Sequence, residues 1–113
     1  MTLSACQSEY LVTKAKIGGI LSSRDFSGPE RSDKLQRATQ TGEKACERLA
    51  RLFDASTDEN EQVFLAFEIK QTQKAIACIR DDDGLAEAGA MLVIGTWQAL
   101  QVYETMRMGA VAR

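Results

Sequence analysis

Apolar residues recur at steps of three and four in four segments of the chain, the spacing of one face of a helix. In the first segment Leu3, Cys6, Tyr10, Thr13, Ile17 and Ile20 form such a stripe. Gly18 and Gly19 interrupt it, and glycine costs about 1 kcal/mol in a helix interior. The first helix is therefore expected over residues 3–17, followed by the loop "SSRDFSGP". A second helix is expected over 28–54. Ser27 and Glu30 stand at capping-box spacing, and Pro29 suits a first turn whose N–H groups have no helical partners. Its seam, Leu35, Ala38, Gly42, Ala45, Leu49 and Leu52, is narrow and lined by small residues, so another helix can approach closely. Glu30 with Lys34, Asp33 with Arg37 and Glu47 with Arg51 have the four-residue spacing that supports a helix surface.

"DASTDENE" breaks the period. Either Ser56 with Glu59 or Asp58 with Glu61 can cap a third helix, expected over 58–80. Leu65, Ile69, Thr72, Ile76 and Ile79 form its seam, widened at the start by Val63, Phe64 and Phe67. "RDDDG" ends it: three aspartates oppose the negative end of that helix dipole and suit the start of the next. The second and third helices thus read as a long antiparallel hairpin.

The fourth helix, expected over 85–108, contains "AGAMLVIGTWQALQVY", uncharged from Ala88 to Tyr103. Leu85, Ala88, Leu92, Gly95, Ala99, Val102 and Met106 make one stripe. Met91, Ile94, Trp97, Leu100 and Tyr103 lie off it. A helix apolar nearly all round is buried on every side or packed between two partners. The expectation is that the stripe packs on the hairpin. Met91, Ile94, Trp97 and Tyr103 then remain for a second chain, since Trp, Tyr and Met are enriched in interface cores, or else all four fill the core. Trp97 lies about 200° round the helix from Gly95, which would turn it away from the hairpin.

The fold class that follows is all-α: one domain over residues 1–113, a small helical bundle built on the hairpin plus the apolar C-terminal helix. No stretch alternates apolar and polar residues between hairpin turns. The uncharged run reaches roughly 24 Å as a helix, short of the roughly 30 Å hydrocarbon core, so no membrane span is expected.

Composition narrows the chemistry. The net charge is −2, which gives no field to draw in phosphate backbones. The bases of the second helix alternate with Glu30, Asp33, Glu43, Glu47 and Asp54, forming a mixed solvated face and no nucleic-acid track. There is no histidine, so the commonest general base and neutral metal ligand is missing. No nucleophile–base frame is visible, and the adjacent aspartates of "DDDG" lack the alternation and late glutamate of a calcium loop. We therefore expect no enzyme, cofactor, catalytic residue or metal site.

The three cysteines bear on compartment. Across a hairpin turning near Ser56 and Thr57, Cys46 and Cys78 are offset by about 16 Å, beyond the roughly 4.4–6.8 Å Cα separation of a disulfide. Free thiols, buried as small hydrophobes, point to a reducing cytoplasm. The alternative rests on "LSAC", Leu3 to Cys6, which resembles a bacterial lipobox. It would make the chain a lipid-anchored periplasmic helical protein, a pilotin or an immunity factor, with Cys6 lipidated. Such a leader needs an apolar run of about 7–15 residues upstream of the cysteine.

The stretches "KLQRATQTGEKACERLARLF" and "NEQVFLAFEIKQTQKAIACI", two long helices about a short acidic turn, resemble the small quorum-sensing antiactivators of the TraM and QslA type. The long apolar fourth helix fits the QslA layout better. The resemblance implies a cytoplasmic homodimer that sequesters a LuxR-type transcription activator through an apolar surface. It transfers no catalytic or ligand residue.

Overall fold

The computed structural model describes residues 1–111. It contains α1 (Leu3–Ile20), a 3-10 turn (Ser23–Phe26), α2 (Arg31–Ala55), α3 (Glu59–Asp81) and α4 (Ala86–Val111), with no strand among the described residues. Thr2 caps α1 by accepting the Ala5 N–H at 3.1 Å. α1 runs through both glycines to Ile20, past the expected end at residue 17. A side chain at either position would meet nothing within 4 Å, so no packing depends on these two residues.

α2 starts three residues later than expected, and the Ser27–Glu30 capping box is not formed. Phe26 is buried at the end of the 3-10 turn, and Ser27 closes that turn by donating its hydroxyl to the Arg24 carbonyl at 2.8 Å. Glu30 itself takes the cap position, with no side-chain cap bond. Of the two caps open for α3, Asp58 is used, accepting the Glu61 N–H at 2.8 Å. α3 ends on Asp82 in the left-handed region at φ 45°. There Arg31 grips the Asp82 carboxylate with both terminal nitrogens, at 2.9 and 2.6 Å, and reaches Glu87 through Nε at 2.9 Å. One guanidinium thus ties the start of α2 to the end of α3 and the start of α4.

α2 and α3 form the antiparallel hairpin, and α4 lies against both. α1 packs along α4, touches α3, and makes no substantial contact with α2. The molecule is elongated, 50 × 24 × 17 Å. Two buried clusters divide the core. One holds Leu35, Ala38, Ile76, Ile79 and Val93, with Phe26 plugging its end. The other holds Cys6, Tyr10, Leu49, Leu65, Leu100 and Tyr103.

α4 is packed between two partners, but its faces do not divide as expected. The hairpin receives Ala86, Gly89, Ala90, Val93, Leu100 and Tyr103. A β-carbon on Gly89 would stand 2.6 Å from the Ala75 carbonyl oxygen of α3, so the backbones meet there. Gly95, on the longer stripe, faces α1. A β-carbon there would lie 3.0 Å from the Lys14 carbonyl oxygen. The period did not separate the faces because apolar residues one position apart serve both neighbours.

Candidate interaction surface

Residues 61, 65, 68, 72, 75, 76 and 79 of α3 turn inward, and two of them are glutamates. Burying a carboxylate is costly unless hydrogen bonds and counter-charges replace water. Both glutamates meet that requirement. Glu61 accepts the Ser56 hydroxyl at 2.6 Å, the Tyr103 hydroxyl, and Arg107 Nε and Nη2 at 2.6 and 2.9 Å. Glu68 Oε1 accepts the Tyr10 hydroxyl at 2.7 Å and the Lys14 ammonium at 2.8 Å. The chain's two tyrosines are therefore both committed to the two buried glutamates. Their rings and Phe64 pack edge-on or tilted, with centroids 5.2 to 6.0 Å apart.

The electrostatics follow from this geometry. Burial by itself would raise the Glu61 carboxyl, but the hydrogen bonds from Arg107, Ser56 and Tyr103 outweigh it and hold the group below the usual range. Burial, then the adjacent carboxylates, pushes both tyrosine hydroxyls up. These bonds tie α1 and α4 to α3 and fix their register.

Of the four residues expected to face a second chain, Met91 and Ile94 pack on the first core cluster, and Trp97 and Tyr103 on the second. Tyr103 is fully buried within its own chain, its hydroxyl on Glu61, and is not an exposed interface residue. Trp97 turns toward α2, where the Arg48 guanidinium lies 4.8 Å from its ring centroid. It is half-buried against the hairpin, not directed away from it. The same Arg48 stands 3.7 Å from Glu104 Oε1, which has no hydrogen-bond partner. Ile94 is half-buried on the first core cluster. Met91 packs against the same cluster and also lines a groove of about 410 Å³ against Leu11, Ala15 and Gly18 of α1.

That groove is the surface the sequence did not disclose. A second depression of about 200 Å³ adjoins it between α4 and α3, and Ala88 and Leu92 line both. Together they form one trough, with α4 as floor and α1 and α3 as walls. Its closed end is where Tyr10 and Lys14 meet Glu68. At the other end Leu85 is 55% exposed, and on the α1 wall Leu11 is 50% exposed. Leu85, Ala88 and Leu92 belong to the stripe that periodicity assigned to the core. α1 covers that stripe at Gly95 but leaves its N-terminal part open.

Cys6 is fully buried in the second cluster, so an acyl group on its sulfur would have to lift the first turns of α1 from α4. Cys6, Cys46 and Cys78 are free thiols, and burial pushes those of Cys6 and Cys46 up. Among the described residues no helix is long and apolar enough to cross a membrane, and no group of acidic and cysteine side chains could hold a metal ion. No family model, curated protein or solved structure matches the chain.

Proposed function

We propose that the chain is a non-enzymatic regulatory protein that captures a LuxR-type transcription activator and keeps it from acting, without itself touching DNA. The observation that carries this reading is the uncovered stretch of α4, where Leu85, Ala88 and Leu92 present an apolar floor between two helical walls. Apolar grooves of this kind accept the apolar face of a partner helix. The closed hydrogen-bonding of Glu61, Glu68 and both tyrosines supports a binding role over catalysis, because the buried titratable groups are committed to holding the helices. The likeness of the hairpin stretches to the antiactivators supplies the class of partner.

The same reading has the protein act as a homodimer in the cytoplasm. Trp97 with Arg48 offers a second surface for the dimer mate, on the α2 side of α4, distinct from the trough. Aromatic and arginine side chains of this kind dominate interface energetics.

The test is a gel-shift and light-scattering experiment with a purified LuxR-type activator on its operator DNA. The reading expects a complex of chain and activator, released DNA, and a free chain of twice the monomer mass. A monomeric chain that leaves the activator on its DNA would overturn it.

A further inference from the structure

The trough has a charge pattern as well as a shape. Among the residues lining its two halves, the charged ones are Lys14 and Lys74, and no carboxylate is among them. Lys14 is neutralised by Glu68 at 2.8 Å. Lys74, on the α3 wall, forms no ion pair among the described residues, nor does Lys70 one turn earlier, and both are exposed. Four residues apart, they form one cationic ridge beside the apolar floor. Of the acids at the open end, Glu87 pairs with Arg31 and Asp83 accepts the Leu85 N–H.

We propose that the trough takes a short amphipathic helix of a partner protein, apolar face down on Ala88 and Leu92, with carboxylates along the flank that meets Lys70 and Lys74. This rests on the partner-binding reading above and adds the chemistry of the segment recognised. From Leu85 to Leu92 the floor runs about 10 Å, enough for two turns of a docked helix. Small residues at Ala15, Gly18 and Ala88 let its backbone come close. The α2 helix of a second copy fits less well, because its charged face interleaves both signs.

The probe is a fluorescein-labelled synthetic helix of roughly fourteen residues, four turns at 3.6 per turn. It carries leucines at helical spacing and glutamates on both flanks. A second peptide has lysine at every glutamate. Fluorescence anisotropy against the intact protein should show binding of the acidic peptide, weakened by salt, and none of the basic one. Lys70→Glu with Lys74→Glu should weaken the acidic peptide roughly tenfold or more and admit the basic one. Leu85→Ser, which removes apolar surface and adds no charge, should weaken the acidic peptide at unchanged helix content. Lys74→Gln, a milder change, serves if the double reversal does not fold, and should weaken the acidic peptide alone. Equal binding of both peptides, or binding of neither, overturns the inference. So does self-association that the acidic peptide displaces, which would seat a second copy in the trough. If neither peptide binds while a LuxR-type activator still does, this inference falls and the partner-binding reading stands. If the activator fails too, both fall.

Discussion

The two ends of α4 are built on opposite principles. Toward its C-terminus, Tyr103 and Arg107 converge on the buried Glu61 of α3, and α1 adds Tyr10 and Lys14 on Glu68. Toward its N-terminus, α4 meets α3 backbone-to-backbone at Gly89 and leaves Leu85 and Ala88 to solvent. One end is closed by directional bonds that cannot be left half-made. The other is tied at its tip by Arg31 to Asp82 and Glu87, and between its walls offers an apolar floor. A polar core end fixes how the helices register, and an open apolar end is free to accept something else.

The largest expected effect comes from breaking the closed end. Glu61→Ala strands Arg107, Tyr103 and Ser56 around a cavity, and removing one partner of a buried ion pair costs about 3–5 kcal/mol. Urea denaturation should show that loss. A loss below about 1 kcal/mol would mean the network is solvated and fixes nothing.

Next comes the backbone contact at the open end. Gly89→Ala places a β-carbon 2.6 Å from the Ala75 carbonyl oxygen, a group that cannot swing aside. Overpacking costs about 1–3 kcal/mol, partly offset by the roughly 1 kcal/mol that alanine gains over glycine in a helix. A net loss of melting temperature is expected, and a gain would show that α3 and α4 are further apart there.

Acid should weaken the closed end. The Glu61 carboxyl is held below its ordinary value, so its contribution is full above the unfolded value of about 4.3 and is lost as pH falls through the depressed one. Each unit of depression corresponds to about 1.4 kcal/mol. Glu61→Gln should flatten the fall in stability below about pH 4.3. An acid limb identical in wild type and variant would remove Glu61 from the ledger.

The smallest effect on stability belongs to the trough. Leu85 is more than half exposed, so Leu85→Lys should change stability within about 0.5 kcal/mol.

The sequence disclosed the helices better than their faces. The seams of α2 and α3 were legible because each has one apolar stripe: Leu35, Ala38, Gly42, Ala45 and Leu49 are buried as spaced, as are Leu65, Thr72, Ile76 and Ile79. α4 has two, and periodicity alone cannot rank them. Tyr103 and Leu100 went to the core, and Leu85 to solvent. The buried glutamates were missed because charge reads as surface. The available signal was their heptad spacing in register with Leu65 and Thr72, alongside two tyrosines and no histidine. The end of α1 was misplaced because a glycine penalty is small and local, and the helix needed nothing from those positions. The trough depends on how far α1 extends along α4, which no local pattern encodes.

The most direct test of the division between the two ends sets Leu85→Lys beside wild type in one titration against a LuxR-type activator, with melting recorded on the same samples. If the open end binds and the closed end holds, the variant melts with wild type and loses the activator. Undiminished binding by a folded Leu85→Lys variant would contradict it, and would move the binding surface away from the trough.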